Sequence, residues 1–354
     1  MAERILMKGN EALAEAAIRA GCRHYFGYPI TPQTEVAAYM AKRMPKIGGV
    51  FLQAESEIAA INMVIGAAAA GKRAMTSSSS PGISLKSEGI SYMAGCDLPG
   101  LIVNVQRGGP GLGGIQPSQS DYFQATRGGG HGDYHLLVLA PDSVQEMADL
   151  VAKGFDLSEA YRIPCMLLAD GTMGQMMEPV SLPEAQTQPM EKPWALTGTQ
   201  GKRAPNVVNS LALQPQELER WNQERFARYA RVQENEQISA GYRMEDAEIC
   251  VVAFGIAARV AQNAIDTARQ KGLKAGMVRP ITLWPFPEKT LKEAARHCKA
   301  FVSVELNMGQ MIQDVELAIR CSRPVSLCAR TGGMIPTPEE VVAAIEKAGK
   351  EVGA

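Results

Sequence analysis

The sequence lacks the signatures of several large functional classes. None of its seven cysteines forms a C-x-x-C pair, and its cysteines and histidines show no cluster with the spacing of metal ligands. Its 36 basic and 37 acidic residues leave a net charge of −1, without a long basic run. These absences argue against an iron–sulfur cluster held by this chain, against a nucleic-acid partner and against binding to an anionic membrane surface.

Long apolar runs and targeting segments are also missing. No apolar stretch reaches the roughly 18 residues that a membrane-spanning helix needs, and the first residues do not resemble a secretory signal. The cysteines lie mostly in apolar or helical surroundings, so they are interpreted as small buried hydrophobic residues of a reducing compartment. We therefore expect a cytoplasmic protein that makes no contact with a membrane.

Two features that often mark a site are uninformative here. The glycine-rich segment RGGPGLGG at residues 107–114 lacks the pattern GxxxxGK(S/T) of nucleotide-binding loops. His131 and His135 flank a turn without a paired carboxylate or cysteine, which favours loop or core histidines over catalytic ones. Neither feature assigns a function.

What the sequence does contain is a regular alternation of short apolar strands with helices. Its 354 residues, 46% of them hydrophobic, are enough for about two domains. The alternation predicts an α/β fold with a parallel sheet in residues 1–180 and a second, shorter α/β block in residues 244–354. Residues 181–243 between them are proline-rich and polar and end in a charged helix, which predicts a linker with a connecting helix that packs across the domains.

The segment VFLQAESEIAAINMVIGAAAAG at residues 50–71 gives the clearest signal. An apolar run that suits a buried strand leads into two acids and then a helix that is apolar all round, which is expected inside a core. A carboxylate on the first turn of such a helix, Glu57, needs a hydrogen-bond partner, a ligand or the helix terminus to stabilise it. Either Glu57 marks a site, or Ser56 or Glu55 caps the helix and Glu57 only complements the helix dipole.

The segment GYPITP at residues 27–32 follows another predicted strand. Pro29 and Pro32 fix their own backbone torsions and hold Ile30 and Thr31 in a defined loop. Thr31 is then available as a ligand or as the N-cap of the next helix, and the two roles are compatible.

Two more strands end in polar groups. Four serines at 77–80 precede a helix that starts near residue 83, and they form either a ligand-lining loop with several hydrogen-bond donors or a flexible connection; the apolar flanks favour the first. The strand at 101–105 leads to Arg107, whose guanidinium matches a carboxylate in bidentate geometry. Because ligands bind at the carboxyl ends of strands in open α/β sheets, Thr31, Glu57 and Arg107 are predicted to meet in one site.

Five segments together resemble the α subunit of the 2-oxoacid:ferredoxin oxidoreductases over essentially the whole chain, most closely the 2-oxoisovalerate type. They are FGYPITPQTE at 26–35, QAESEIAAINMVIGAAAAGKR at 53–73, TSSSSPGISLKSEGISYMAG at 76–95, QRGGPGLGGIQPSQSDYFQ at 106–124 and VRPITLWPFP at 278–287. The resemblance implies a thiamine diphosphate-binding fold with a pyrimidine-type first domain, followed by a domain like the C-terminal domain of transketolase.

The resemblance also implies roles for individual residues. Glu57 matches the glutamate that hydrogen-bonds N1′ of the cofactor's aminopyrimidine, where proton exchange favours the imino tautomer that generates the nucleophilic ylid. Thr31 and Arg107 match the residues that bind the carboxylate and ketone oxygen of the substrate. The cofactor-lining residues expected beside Glu57 are Pro29, Ile30, Ser79 and Ser80.

Two parts of such an enzyme are missing from this sequence. The Gly-Asp-Gly motif that holds Mg and the cofactor's diphosphate does not occur, since the nearest match is Gly132-Asp133-Tyr134, and no cysteine framework for 4Fe-4S clusters is present. The resemblance therefore implies a β-type partner that supplies the diphosphate and Mg site and a cluster. It also implies smaller γ- and δ-type subunits, ferredoxin as electron acceptor, CoA as co-substrate and no activity of this chain alone.

The expected reaction is the oxidative decarboxylation of a branched 2-oxoacid such as 2-oxoisovalerate to acyl-CoA and CO2. One alternative is the same reaction on 2-oxoglutarate, whose second carboxylate Lys86 or Arg127 would bind. A second is a non-catalytic assembly subunit, and a third is a transketolase-like or decarboxylase subunit without a redox step.

Overall fold

The computed structural model describes residues 4–185, 190–199 and 201–353. Within these ranges the chain forms fourteen strands and twelve α-helices, with one short 3-10 helix at Met44–Ile47. The strands are β1 (Ile5–Lys8), β2 (His24–Gly27), β3 (Val50–Gln53), β4 (Ala74–Ser78), β5 (Leu101–Gln106), β6 (Leu137–Leu139), β7 (Cys165–Asp170), β8 (Met177–Val180), β9 (Ser239–Tyr242), β10 (Ile249–Val252), β11 (Ala275–Pro280), β12 (Thr282–Trp284), β13 (Ala300–Glu305) and β14 (Val325–Ala329). The helices are α1 (Gly9–Arg19), α2 (Thr34–Arg43), α3 (Glu57–Ala69), α4 (Ser80–Gly95), α5 (Tyr122–Thr126), α6 (Val144–Tyr161), α7 (Gly171–Gln175), α8 (Pro215–Asn235), α9 (Gly255–Gln270), α10 (Glu288–His297), α11 (Met311–Ala318) and α12 (Pro338–Val352).

The larger sheet has seven strands in the order β12-β6-β7-β5-β4-β2-β3. All neighbours in it pair in parallel except β12, which is antiparallel to β6. From β2 the chain first moves outward to β3 and then crosses to the other side of β2 to form β4 and β5. Such a reversal of direction opens a crevice at the carboxyl ends of the strands on either side of it, here β2 and β4.

The centre of this sheet is fully buried. Every residue of β4, β5 and β7 is buried. Strands covered on both faces are expected to be near-continuous apolar runs, and β5 and β7 follow this pattern with the sequences LIVNVQ and CMLLAD. The polar exceptions at their carboxyl ends therefore stand out against an apolar background.

The edge of the sheet beyond β2 differs from the sequence expectation. β3 was expected to be buried, yet it is the edge strand, and Val50 and Leu52 are 42% and 39% exposed. Helix α3 was expected inside a core on all sides, but only one of its faces is covered and Ile58 is 50% exposed. Both elements are apolar, but the prediction that they are buried was wrong for this chain, because no described element packs against the outer side of this edge.

A second sheet has five strands in the order β14-β13-β10-β11-β9, with β9 antiparallel and the other pairs parallel. Helices α9 and α12 pack on each other and against this sheet, around a core of valine, isoleucine and alanine side chains. β9 lies within the predicted linker but joins this sheet, while β12 lies in the predicted C-terminal block but joins the larger one. The division at residues 180 and 243 stays a prediction.

Helix α8 packs against elements of the larger sheet. Arg225 of α8 donates to the backbone oxygen of Gly95, 2.9 Å away, and Tyr229 packs edge-on against Trp284 with a centroid distance of 5.5 Å. His135, a half-buried loop residue, stacks on the same Trp284 at 4.5 Å, in agreement with the expected loop or core histidine. In the described ranges, no helix has the length and apolar character to cross a membrane.

Candidate active site

Four neighbouring strands of the larger sheet direct the candidate residues to one edge. Thr31 follows β2, Glu57 follows β3, Ser79 and Ser80 follow β4, and Arg107 follows β5. These strands are adjacent in the order β5-β4-β2-β3 and all run in parallel. Their carboxyl ends therefore lie along the same edge, on both sides of the crevice between β2 and β4.

Glu57 is the first residue of α3 and is buried, with only 6% of its surface exposed. The expected cap is present, because the Ser56 hydroxyl accepts a hydrogen bond from the Ala59 backbone N–H at 3.2 Å. Ser56 thus caps the helix, and Glu57 is not needed for that purpose. Among the described residues, none donates a hydrogen bond to the Glu57 carboxylate, which is unusual for a buried acid.

The surroundings of Glu57 leave room that only glycine provides. A Cβ atom placed on Gly82 of α4 would lie 2.7 Å from Glu57 Oε1 and 2.1 Å from Ser78 Oγ. The hydroxyls of Ser78 and Ser79 are buried and have no hydrogen-bond partner within the described part of the chain. The Ser78 hydroxyl, which has no described partner, lies with the Glu57 carboxylate around Gly82, and this pair fits a site that is completed by a polar ligand.

Ser80 has a different environment from Ser79. Its hydroxyl donates to Asp121 Oδ2 at 2.6 Å and accepts from the Arg107 backbone N–H at 3.0 Å. Asn104 completes the network, because its side-chain oxygen accepts from the Ser80 N–H at 3.1 Å and its amide donates to Asp121 at 2.9 Å. Burial raises the pKa of Asp121, and the hydrogen bonds from Ser80 and Asn104 act against that rise. Ser80 therefore fixes the start of α4 and the backbone of Arg107.

Sequence reasoning missed Asn104 and Asp121. Asn104 interrupts the otherwise apolar strand LIVNV, and a polar side chain at a fully buried position was a usable signal. Asp121 gave no local signal, because its partners lie 17 and 41 residues away in the chain.

Arg107 and Thr31 are in contact, as predicted. The Arg107 Nη1 atom donates to the Thr31 backbone oxygen at 3.0 Å, and Nη2 lies 3.5 Å from the backbone oxygen of Leu112. Arg107 is 9% exposed, and its Nε is buried without a partner among the described residues. The alternative role of Thr31 as an N-cap is wrong, because α2 begins at Thr34 after Gln33.

A cavity of about 480 Å³ opens beside this contact. Its lining contains no charged side chain and consists of Thr31, Pro32, Ile115, Gln116, Pro117, Gly171, Thr172 and Gln175. In the loop before it, Pro29 is exposed and Ile30 is partly buried.

The two cations considered for a second substrate carboxylate are otherwise engaged. Lys86 is fully buried and its Nζ donates to the Glu57 backbone oxygen at 3.2 Å. Arg127 forms an ion pair of 2.7 Å with Asp314 from the second sheet's helix α11. Neither cation lines the cavity next to Thr31.

Two family models match most of this chain. The family model described as pyruvate flavodoxin/ferredoxin oxidoreductase, thiamine diphosphate-binding, matches residues 15–244, and the pyruvate:ferredoxin oxidoreductase core domain II matches residues 247–341. The chain belongs to the 2-oxoacid:ferredoxin oxidoreductases. The resemblance, the enzyme class and the thiamine diphosphate-binding first domain inferred from sequence are thereby confirmed.

Individual relatives cover nearly the whole of this oxidoreductase chain. The ketoisovalerate oxidoreductase subunit VorB of Methanothermobacter marburgensis is 50% identical over 93% of both chains. The 2-oxoglutarate synthase subunit KorA of Methanothermobacter thermautotrophicus is 37% identical over 98% of this chain and 99% of its own. These relatives are named as subunits, so members of this kind work in multisubunit enzymes.

Solved structures support the same fold. The 2-oxoglutarate:ferredoxin oxidoreductase of Magnetococcus marinus, solved with 2-oxoglutarate, coenzyme A and succinyl-CoA bound, matches with a TM-score of 0.86 and 30% identity over 98% of this chain. The present chain spans 65% of that longer chain. A split-gene transketolase matches in fold, with a TM-score of 0.62 over 97% of this chain and 98% of its own at 16% identity. The predicted fold class is confirmed.

Proposed function

We propose that this chain is the α-type subunit of an enzyme that oxidises 2-oxoisovalerate with CoA to isobutyryl-CoA and CO2 and passes two electrons to ferredoxin. The observation that carries the proposal is Glu57, a buried carboxylate at the carboxyl edge of a parallel sheet that accepts no hydrogen bond from the described residues. The VorB relative, named for ketoisovalerate, supports the choice of substrate at 50% identity.

Thiamine diphosphate, when bound, supplies a carbanion nucleophile and an electron sink for decarboxylation. The role of this chain is to hold one proton at the right atom. The Glu57 carboxyl is buried and accepts no hydrogen bond from the described residues, whereas Asp121 is held by Ser80 and Asn104, so Glu57 is assigned the exchange of a proton with N1′ of the pyrimidine. The free hydroxyls of Ser78 and Ser79 and the bare Gly82 provide polar contacts and space beside it.

Arg107 and Thr31 are assigned to the substrate. The guanidinium keeps its charge at all physiological pH values, and its unpaired Nε–H offers a donor to a carboxylate or a ketone oxygen. Its bonds to the Thr31 and Leu112 backbone, with the Ser80 bond to its own N–H, hold the side chain in one orientation. A fixed cation of this kind binds the anionic head of the substrate without reorganisation.

The cavity beside Thr31 supports an apolar acyl group. Its lining includes Ile115, Pro32 and Pro117 but no lysine or arginine. A dicarboxylate such as 2-oxoglutarate would bury its second carboxylate there without a cation, which is unfavourable. Because Lys86 and Arg127 are engaged elsewhere, a branched apolar 2-oxoacid is the better substrate for this cavity.

Partner subunits are part of the proposal. The described residues contain no group of histidine, cysteine and acidic side chains able to hold a metal ion. A β-type partner is proposed to bring Mg, the diphosphate site and a 4Fe-4S cluster, with γ- and δ-type subunits completing the path to ferredoxin and the CoA site. The exposed apolar residues of β3, α3 and α4, which are Val50, Leu52, Ile58 and Leu85, give such a partner a surface next to Glu57.

The cytoplasm is the proposed location. All seven cysteines are free, and six of them are buried or half-buried. Free thiols in this number are typical of a reducing compartment.

The test is CoA-dependent reduction of a viologen dye, without oxygen, by this chain co-purified with its partners. Pyruvate, 2-oxoisovalerate and 2-oxoglutarate are compared at equal concentration, and the same complex carrying Glu57→Gln is the matched control. We expect the highest kcat/KM with 2-oxoisovalerate and almost no reduction in the control. A preference for 2-oxoglutarate would contradict the substrate assignment, and equal activity of the control would favour an assembly role.

A further inference from the structure

Lys86, on helix α4, is a buried lysine that forms no ion pair with an acidic side chain among the described residues. Its side chain is fully buried, although lysine is almost never fully buried unless it is paired. Its ammonium group has three N–H donors, yet its hydrogen bond to the Glu57 backbone oxygen, 3.2 Å long, is the only one formed with described residues. A charge placed so unfavourably needs an explanation.

The spacing of α4 explains how Lys86 reaches this position. Gly82, Lys86 and Gly89 are four and three residues apart and therefore share one face of the helix. A Cβ on Gly89 would lie 2.5 Å from Ile61 of α3, and one on Gly82 would lie 2.7 Å from Glu57 Oε1. The two glycines allow the helices to approach closely. Because helical side chains lean towards the N-terminus, the Lys86 stem runs from this contact towards Glu57.

The position is poor for stability. The first turn of a helix has a positive partial charge, so an ammonium group beside the first residue of α3 is repelled by the helix dipole. Burial lowers the pKa of Lys86 to about 8, and the negative charge of Glu57 opposes that change. The group is mostly protonated at neutral pH, and Glu57 is the charged group to which it is electrostatically coupled.

We propose that Lys86 is a positioning residue that holds the first turn of α3 and keeps the Glu57 carboxylate ionised, so that Glu57 accepts and returns the proton it shares with the cofactor. The inference rests on the proposed function of Glu57. A purely structural role would need only the aliphatic stem of the side chain, which methionine reproduces.

Other titratable groups do not account for the charge at this point. Helices α3 and α4 pack on each other and on β2, β4 and β5. The other titratable groups on or near these elements have their own partners or lie away from Glu57. Tyr25 bonds Ser77, Glu88 bonds Tyr92, and Asp121 bonds Ser80 and Asn104. His24 lies at the amino end of β2, and Glu55 before α3 is exposed. Lys86 is the cation of this set that is directed at Glu57.

The experiment uses the assembled complex with Lys86→Met, Lys86→Gln and Lys86→Arg, and with Lys72→Met as an exposed-lysine control. Infrared difference spectra against Glu57→Gln, recorded without cofactor over a range of pH, report the protonated fraction of Glu57. The pH profile of kcat is measured in parallel. At a fixed pH we expect the neutral variants to raise the ratio of protonated to ionised Glu57 roughly tenfold, the effect of removing one screened charge a few Å away.

Lys86→Arg is expected to keep the ratio of protonated to ionised Glu57 within about twofold of wild type. It should also extend activity to higher pH, because arginine stays charged at pH values where lysine loses its charge. Titration of Glu57 that is identical in the methionine variant, the glutamine variant and wild type would overturn the proposal. If the neutral variants do not assemble, wild type is compared with Lys86→Arg. The proposal is then overturned if the fall of kcat at alkaline pH is the same in both. Because the infrared titration needs no turnover, an inactive wild-type complex contradicts the proposed function without deciding this one.

Discussion

Two buried glutamates at the ends of parallel strands have opposite environments. Glu305 ends β13 in the second sheet and is fully buried, and Glu57 follows β3 in the larger sheet with 6% exposure. The Glu305 carboxylate accepts hydrogen bonds from the Ser303 hydroxyl at 2.8 Å and from three backbone N–H groups at the start of α11 at 2.8–3.0 Å. The Glu57 carboxylate accepts none from the described residues.

The difference separates a structural acid from a functional one. Three backbone hydrogen bonds make Glu305 the cap of α11, because the first N–H groups of a helix have no partner within it. Glu57 is buried without such hydrogen bonds, next to a buried lysine whose one described hydrogen bond goes to the Glu57 backbone. Burial alone therefore does not mark a site; burial without hydrogen-bond satisfaction does.

The largest effect is expected from Glu57→Gln. The change keeps the shape of the side chain but removes the exchangeable proton, so turnover should fall about 10³-fold, within the range of general acid–base contributions. Thermal unfolding of the complex should change by about 1.4 kcal/mol at most, which is the tenfold coupling to Lys86, because the described residues donate no hydrogen bond that the change would break. Kinetics and calorimetry on the same preparation measure both quantities. A loss of stability as large as that expected for Glu305→Ala would mean that Glu57 has a structural role.

Glu305→Ala should do the reverse. The N–H groups of Met311 and Ile312 and the Ser303 hydroxyl lose their acceptor, while the Gln310 N–H keeps Asn307 Oδ1, so the free energy of unfolding should fall by about 3 kcal/mol. Activity per assembled complex should remain within a few-fold. Glu305→Gln is the matched control, with an intermediate loss because one amide oxygen still accepts. Unchanged urea unfolding of Glu305→Ala would contradict its structural role.

Lys86→Met tests whether the buried charge of Lys86 lowers the free energy of unfolding. The folded-state pKa of Lys86, about 8, lies below the ordinary value of 10.5, so the unfolded chain binds more protons between these pH values and stability rises with pH there. At pH 7 the full penalty is present, on the order of 3 kcal/mol. Lys86→Met should therefore be more stable than wild type at pH 7, with the gap closing as pH rises from 8 to 10.5. A gap that is constant with pH would contradict a buried charge.

The smallest effect is expected from Arg107→Lys. Lysine carries the charge but not the planar fork, so KM for the 2-oxoacid should rise about tenfold. Arg127→Lys, at an exposed arginine paired with Asp314, is the control and should leave KM within about twofold. Steady-state kinetics of the two variants measure these KM values. Equal KM values would mean that Arg107 does not bind the substrate.

The sheet and the positions of Thr31, Glu57 and Arg107 were predictable because the signals are local. Apolar runs bounded by turns predicted the strands from β2 to β7 to within a few residues, and the parallel order then brings their carboxyl ends together. Ser56 capping α3 was one of the alternatives read from the sequence, and the structure contains it.

The remaining features depend on distant segments or on other molecules. β12 enters the larger sheet from a segment that lies 143 residues along the chain from its partner at Leu139, so no local pattern marks it. Lys86 has the sequence context of a surface lysine, and only the close approach of α3 and α4 at Gly82 and Gly89 buries it. The exposure of Ile58 was mispredicted because composition does not say which chain covers an apolar face.

The most direct test of a shared active site is 2-oxoisovalerate oxidation by this chain alone and by the complete complex, each supplied with thiamine diphosphate, Mg, CoA and a viologen acceptor. We predict no dye reduction by the isolated chain and CoA-dependent reduction by the complex. Turnover by the isolated chain would contradict an active site that requires a partner subunit.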